Sequence, residues 1–279
     1  MGGKLDRISV ADLKAKAKQG RIDIINMLAI AGSGHSGGSL SCIDILTVLY
    51  FCEMKHKPGE PLWEGRDIFV LSKGHCCPAL YSVLARSGYF PAEELMTLRK
   101  LGSRLDGHPS RAKGLPGIEV SSGSLGQGLS IANGVALAFK MDKNERRVYC
   151  LMGDGELQEG QIWEAAMTAP HYGLDNLCGI VDNNMLQIDG KIQDVKSPLP
   201  ISDKWKSFGW NVIEIDGHDI RQIMDGFEKA RCVKGKPSLI LAHTVKGKGV
   251  SFMENRAEWH GVAPDEGQAK KALMEIEKS

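Results

Sequence analysis

Short apolar runs that alternate with helical patterns dominate the second half of the chain. Helical patterns cover about 156–169 and 219–232. The apolar runs are typical of buried strands and cover 147–152, 177–181, 211–215 and 238–242. This βαβ rhythm predicts an α/β fold with a doubly wound, mainly parallel sheet flanked by helices, because parallel strands need crossover connections that pack on the sheet faces.

The first half of the chain is predicted to be mostly helical, with one strand at 68–71. Leu13, Ala17, Ile24 and Leu28 recur at helical spacing within a predicted helix over 9–31. Further helices are expected over about 41–51 (opened by a capping box at Ser41), from Pro91, over 129–140 and from about Glu266. Periodicity stops over 102–128, which we interpret as a glycine-rich loop, and a loop of this length is usually functional or disordered. No repeat or linker divides the chain, so we expect one domain over 1–279.

Charge and composition exclude several classes of protein. The 279 residues contain 35 Lys and Arg against 34 Asp and Glu, so no basic excess exists to bind nucleic acid. No apolar run is long enough to span a membrane, and residues 1–6 lack a hydrophobic signal core. Seven cysteines without a C-x-x-C spacing favour reduced, mostly buried thiols. We therefore expect a cytoplasmic protein with no membrane partner.

Two polar motifs follow neighbouring predicted strands. Gly153-Asp154-Gly155 comes directly after one strand, and Asp182-Asn183-Asn184 comes after the next. The 27 residues between Gly155 and Asn183 (156 to 182) suffice for one helix and one returning strand, so both motifs should meet at the ligand-binding edge of the sheet. A carboxylate, an amide oxygen and a main-chain carbonyl form a partial oxygen shell for a hard divalent cation beside a diphosphate.

This pair of motifs resembles the diphosphate- and metal-binding motif of thiamine diphosphate enzymes, and further motifs narrow the resemblance to transketolase. They follow the order of the amino-terminal half of that family. They are Ser33-Gly34-His35-Ser36-Gly37-Gly38, Ser72-Lys73-Gly74-His75, Gly107-His108-Pro109, Gly123-Ser124-Leu125-Gly126-Gln127-Gly128, Leu157-Gln158-Glu159-Gly160 and Trp259-His260-Gly261. The resemblance covers nearly the whole chain and implies the diphosphate-binding domain of a thiamine diphosphate-binding fold.

The resemblance implies a role for each matching residue. The metal (Mg²⁺, or Ca²⁺ or Mn²⁺) would be held by Asp154, Asn184 and the carbonyl of Leu186. The diphosphate and the reactive end of thiamine diphosphate would be lined by Asn184, Gly155, His75 and His260. The aminopyrimidine would face Gly123, Ser124 and Leu125. The family usually has proline where Ser124 stands. Substrate hydroxyls and carbonyl would be reached by His35, His108 and His260, of which His35 and His260 would be catalytic.

The resemblance also implies a partner chain. In the family, the glutamate that bonds to the cofactor's ring nitrogen and the pocket for the pyrimidine lie in a second domain, which this sequence lacks. We therefore expect the amino-terminal subunit of a split transketolase, in an α2β2 heterotetramer with a carboxy-terminal subunit that carries the pyrimidine-binding domain. Glu159 and Glu164 would lie at the subunit interface. The implied reaction is reversible transfer of a two-carbon ketol unit between sugar phosphates, in the pentose phosphate pathway or in a specialised sugar catabolism.

Other interpretations stay open. Half of a deoxyxylulose phosphate synthase is disfavoured because Cys76, rather than glutamine, follows His75. The alpha subunit of a 2-oxo acid dehydrogenase and a non-catalytic cofactor-binding half are also possible. Residues 32–37 fit G-x-G-x-x-G but follow a helix, so a dinucleotide site is rejected. Residues 246–249 are interpreted as a flexible basic loop. The histidines without a motif are His56, His171, His218 and His243.

Overall fold

The computed structural model describes residues 8–278, so the prediction about a signal core in residues 1–6 lies outside the described residues. Five parallel strands form one sheet in the order β1-β2-β3-β7-β6. These strands are β1 (Ile68–Leu71), β2 (Val148–Gly153), β3 (Leu177–Asn183), β6 (Asn211–Asp216) and β7 (Ser238–His243). A small antiparallel pair, β4 (Leu186–Gln187) and β5 (Gly190–Lys191), follows β3. The predicted parallel sheet is confirmed.

Helices cover both faces of the sheet, as a doubly wound fold requires. On one face, Phe69, Tyr149 and Ile180 pack in a core with α1 (Val10–Ala31), α2 (Ser36–Val48), α3 (Cys77–Ser87), α8 (Ile220–Cys232) and α9 (Glu266–Lys278). On the other face, Val70, Cys150 and Val181 pack in a second core with α4 (Gln127–Met141), α5 (Gly160–His171) and α7 (Ile201–Ser207). Successive strand residues therefore alternate between the two cores. The remaining helix is the short α6 (Ile192–Lys196).

The register places the two polar motifs side by side. Gly153 at the end of β2 pairs with Asp182 on β3, and Asn183 pairs with His243 on β7. The backbone N–H of Asp154 donates to the carbonyl of Asp182 at 3.3 Å. The prediction that both motifs meet at the carboxyl edge of neighbouring strands is confirmed.

Three predicted helix boundaries were wrong. Ser41 does not open a helix: α2 already begins at Ser36, and the Ser41 hydroxyl donates inside the helix to the carbonyl of Gly38. The helix expected over 156–169 is broken, because a 3₁₀ turn over Gly155–Gln158 precedes α5. The segment after Pro91 is a 3₁₀ turn, Ala92–Thr97.

The prediction that most of the thiols are buried is confirmed. All seven cysteines are free; five are buried, whereas Cys52 and Cys232 are exposed.

Among the described residues, every helix is too short or too polar to cross a lipid bilayer.

Candidate active site

A cavity of about 170 Å³ opens at the carboxyl edge of β2 and β3. It brings together seven of the residues predicted for the cofactor and metal. They are His75, Leu125, Asp154, Gly155, Asn184, Leu186 and His260. These residues come from separate segments of the chain, so only the fold unites them.

Asp154 is buried at the bottom of this cavity. Its two carboxylate oxygens accept hydrogen bonds from the backbone N–H groups of Gly155, at 2.7 Å, and of Met185. Burial, and then the negative charge of Asp182, raise the pKa of Asp154 to about 7. The ionised carboxylate is therefore poorly compensated by the protein, and a bound cation would stabilise it.

The other two predicted metal ligands lie beside Asp154. The Asn184 side-chain oxygen accepts a hydrogen bond from the backbone N–H of Leu186 at 3.1 Å, which orients both residues. Within residues 8–278, no three His, Cys, Asp or Glu side chains form a ready metal site. The predicted set has only one carboxylate, and an amide and a carbonyl supply its other oxygens. An all-oxygen set of this kind suits a hard divalent cation, so these residues fit the implied metal.

A buried ion pair supports the floor of the cavity. Lys73 and Asp182 form a salt bridge with both side chains almost fully buried. Asp182 also accepts hydrogen bonds from Ser41, at 2.5 Å, and from Thr244. Although burial alone would lower it, the charge of Asp182 raises the pKa of Lys73 well above its usual value. Lys73 lines the cavity and places a fixed positive charge there.

Glu156 joins two of the predicted motifs. Its carboxylate accepts hydrogen bonds from the backbone N–H groups of Gly126, at 2.9 Å, and of Gly153, at 3.0 Å, and from the Ser72 hydroxyl. The Gly153-Asp154-Gly155 turn and the glycine-rich loop are thus held to one buried carboxylate. The sequence reasoning assigned no role to Lys73, Asp182 or Glu156. The signal was present, since each is a charged residue at, or within three residues of, the end of an apolar strand, where burial requires partners.

The four histidines of the motifs gather in one cluster. The ring of His35 lies 5.0 Å from that of His75, 6.1 Å from that of His108 and 5.5 Å from that of His260, between centroids. Burial, and then the charge of His75, lower the pKa of His35 to about 4. Burial, and then Lys246, lower the pKa of His260 to about 3. Both imidazoles are therefore neutral at pH 7.

His35 has an unsatisfied polar atom. Its Nδ1 is buried and has no hydrogen-bond partner among the residues that the structure describes. The pKa of the nearby His108 is also lowered, mainly by burial. Neutral imidazoles with free nitrogens can donate to, or accept from, the hydroxyls of a polar ligand.

Lys246 corrects the expectation of a flexible basic loop at 246–249. Only 1% of this residue is exposed, and its Nζ lies 2.9 Å from Nδ1 of His260 and 3.4 Å from the carbonyl oxygen of Leu186. Burial, and then the charge of Lys73, lower the pKa of Lys246 to about 8. The expectation was wrong for Lys246, which enters the cavity between the predicted metal ligands and His260.

The remaining predicted residues lie outside the lining of the cavity, with the exception of Glu159. A Cβ atom placed on Gly123 would lie 3.3 Å from the His108 ring, and one on Gly74 would lie 2.9 Å from the Gly123 nitrogen. Gly123 therefore packs between Gly74 and His108, whereas Ser124 is exposed. Glu159 borders the cavity and is exposed, and Glu164 is exposed on α5. Both glutamate side chains are therefore accessible on the surface of the part of the chain that the structure describes.

A parallel sheet with a polar cleft at its carboxyl edge defines a ligand-binding protein of the doubly wound class. A model of the family described as transketolase, thiamine diphosphate binding domain, matches residues 13–276. The chain belongs to the transketolase family, whose members are transferases, and corresponds to its thiamine diphosphate-binding domain.

Individual relatives are similar over different shares of their length. The chain is 44% identical over 269 residues to one of the subunits of apulose-4-phosphate transketolase from Phocaeicola vulgatus, covering 96% of this chain and 95% of that protein. It is 46% identical over 267 residues to 6-deoxy-6-sulfo-D-fructose transketolase subunit SqwG of a Clostridium species, covering 96% and 97%. The crystal structure of Campylobacter jejuni transketolase superposes with a TM-score of 0.91 at 35% identity, covering 97% of this chain and 43% of that one. The chain thus spans nearly all of two subunit relatives and less than half of the Campylobacter chain.

Proposed function

We propose that this chain is the diphosphate-binding subunit of a split, metal-dependent transketolase that moves a two-carbon ketol unit from a ketose to an aldose. The observation that carries the proposal is the single cavity at the sheet edge. It joins an oxygen donor set at Asp154, Asn184 and Leu186 to the histidine cluster around His35. The match to the family's thiamine diphosphate-binding domain supports the choice of cofactor.

The metal and the diphosphate would share the floor of the cavity. Asp154, Asn184 and the Leu186 carbonyl would hold Mg²⁺, or Ca²⁺ or Mn²⁺, and Gly155 would let the diphosphate approach the backbone. Thiamine diphosphate supplies the carbon nucleophile and the electron sink when bound. Lys73 and Lys246, both buried in the same cavity, would balance the charge of the diphosphate.

The histidine cluster would handle the sugar. His35, His108 and His260 would bind substrate hydroxyls and the carbonyl, and His35 and His260 would move protons there. The low pKa values of His35 and His260 support this role, because a neutral imidazole can accept a proton at pH 7. His75, Gly123, Ser124 and Leu125 would line the thiazolium and aminopyrimidine side.

The rest of the active site would come from a partner subunit with the pyrimidine-binding domain, in an α2β2 assembly. The relatives that this chain matches along almost their whole length are named as transketolase subunits, which supports a split enzyme. Exposed Glu159 and Glu164 could meet such a partner directly. A cytoplasmic location remains part of the proposal, supported by seven free thiols.

The substrate would be a ketose with an anionic substituent. One relative is named for a phosphorylated ketose and the other for a sulfonated ketose, so a specialised sugar catabolism is favoured over the pentose phosphate pathway. A synthase of deoxyxylulose phosphate, a 2-oxo acid dehydrogenase subunit and a non-catalytic half have no comparable support.

Cofactor titration tests the metal assignment. In calorimetric titrations of the full-length chain with its partner, thiamine diphosphate should bind in the presence of Mg²⁺ and not in EDTA. Asp154→Ala should abolish that binding, because it removes the one carboxylate from the hard-cation site. The matched control is Asp189→Ala, which removes an exposed carboxylate that also borders the cavity and should leave the affinity within about twofold. Unchanged binding in Asp154→Ala would refute the metal assignment.

A further inference from the structure

His218, which belongs to no family motif, sits in a defined hydrogen-bond chain. Its Nε2 accepts a hydrogen bond from the backbone N–H of Val245 at 2.8 Å. Its Nδ1 lies 2.8 Å from the Oδ2 atom of Asp44, and only 13% of the side chain is exposed. Because Nε2 is the acceptor, the ring proton must be on Nδ1 and must be donated to Asp44. The ring therefore connects a carboxylate on α2 to the backbone after β7.

Asp44 is itself held firmly. Arg21 on α1 donates two hydrogen bonds to its carboxylate, at 3.0 and 2.5 Å. Burial alone would raise the pKa of Asp44, but Arg21 and His218 hold it below its usual value. The Nε of Arg21 also donates to the carbonyl of Lys248 at 3.2 Å. Two groups of this network, the His218 ring and the Arg21 guanidinium, thus bond the backbone at Val245 and Lys248.

Lys246 directly follows Val245, whose backbone N–H is bonded to His218. Its side chain is directed into the cavity, where the Nζ meets His260 and the Leu186 carbonyl. The next N–H, that of Gly247, donates to the carbonyl of Gly37 at 2.9 Å. The carbonyl of Lys246 also accepts a hydrogen bond from the N–H of Asn255 at 2.9 Å, so the short backbone segment 245–248 is held at four points. Among its residues, Lys246 is the one that lines the cavity.

We propose that His218 is a positioning residue that sets the Lys246 ammonium group in the cofactor cavity by holding the backbone N–H of Val245. It acts through the backbone and lies outside the residues that line the cavity. The inference rests on the proposed function for its consequence, which is that the placement of Lys246 strengthens the binding of thiamine diphosphate.

Two variants separate the two hydrogen bonds of His218. Glutamine can place its Oε1 near the position of Nε2 and still accept from Val245, whereas asparagine reaches only the position of Nδ1. We expect His218→Asn to speed amide hydrogen exchange at 245–248 by about tenfold, and His218→Gln to leave it close to wild type, because a lost buried hydrogen bond costs about one factor of ten. His171→Asn, at an exposed histidine on α5, is the matched control.

Cofactor affinity is the second measurement. With the partner subunit and Mg²⁺, His218→Asn should weaken thiamine diphosphate binding about tenfold, and His218→Gln should restore most of it. If His218 had a merely structural role, both variants would bind thiamine diphosphate more weakly in proportion to their loss of thermal stability. That pattern would overturn the proposal. So would wild-type exchange at 245–248 in a folded His218→Asn chain.

The exchange experiment also keeps the two hypotheses apart. It is performed on the cofactor-free chain, so its outcome does not depend on catalysis. A wild-type complex that fails to bind thiamine diphosphate would contradict the proposed function, whereas the exchange rates at Val245 and Lys246 would still decide whether His218 holds the segment.

Discussion

At the scale of single residues, burial decides the charge state of the site. His35 lies beside His260, and His260 lies beside Lys246, so protonating the two rings would place several positive charges in a desolvated cleft. Their pKa values fall to about 4 and about 3 for this reason. Both imidazoles are therefore neutral at pH 7.

Acid stability tests this charge state. A histidine whose pKa is lower in the folded chain binds fewer protons than in the unfolded chain, so stability falls as the pH drops from about 6.5 towards 4. His35→Gln removes the titrating imidazole and therefore its contribution to the loss of stability at low pH. Relative to wild type, the variant should gain about 1 kcal/mol between pH 7 and pH 5, a value reduced to allow for the partial exposure of the ring.

The measurement is urea denaturation of the cofactor-free chain at the two pH values. His171→Gln, at an exposed histidine, should keep the wild-type pH response. Equal pH responses for His35→Gln and wild type would show that the folded and unfolded chains bind protons at His35 equally, which would contradict the lowered pKa of His35.

The sequence predicts site residues well where a motif fixes them, and poorly where the fold supplies the partner. Asp154, Asn184, Leu186 and His260 were placed from motifs, and all four line one cavity. Lys246 was missed because its role depends on Leu186, which lies 60 residues away along the chain. Nothing in the sequence around either residue indicates this contact, because it forms only when β3 and β7 pair in the sheet.

At the scale of elements, close packing sets the geometry of the site. Gly37 on α2 faces the two segments that carry His260 and Lys246: a Cβ atom there would lie 2.8 Å from the Trp259 carbonyl oxygen and 2.9 Å from Cγ of Lys246. The start of α2 can approach these segments only because no side chain intervenes.

Gly37→Ala should therefore destabilise the chain by about 1–3 kcal/mol, since the added methyl group overpacks against backbone. Gly134→Ala is the matched control, because Gly134 lies within α4 and an added Cβ would meet nothing within 4 Å. That substitution should stabilise the chain by about 0.5–1 kcal/mol through helix propensity. Urea denaturation of both variants checks the pair, and a stabilising Gly37→Ala would contradict the packing of α2.

Elements were predicted where periodicity was clear. The five strands of the parallel sheet and the helices α1 and α8 were predicted to within a few residues of their ends, whereas the two-residue strands β4 and β5 were not predicted. The helix α3 was not predicted, because residues 77–85 are all buried and show no polar face. The wrongly predicted helix start at Ser41 also has a physical cause. The Ser41 hydroxyl bonds to the Gly38 carbonyl and to the Asp182 carboxylate instead of capping a helix.

At the scale of the whole molecule, the cleft faces outward from one edge of the sheet. Two sides of it are built from the ends of β2 and β3 and from the histidine loops, and the exposed carboxylates of Glu159 and Asp189 border it. Such a cleft suits a cofactor that is shared with a second chain. The sequence could indicate a second chain only through its family resemblance, because local sequence patterns do not show which protein would pack against the cleft.

Reconstituted two-carbon transfer tests the central claim most directly. The purified chain, a partner chain with a pyrimidine-binding domain, thiamine diphosphate and Mg²⁺ would be mixed with an aldose phosphate acceptor and, in turn, a pentulose phosphate, apulose 4-phosphate or 6-deoxy-6-sulfo-D-fructose. We expect a two-carbon-extended product with at least one donor, and none when either chain, the cofactor or the metal is left out. A complex that binds thiamine diphosphate yet transfers no ketol unit from any of these donors, or full transfer by this chain alone, would contradict the account.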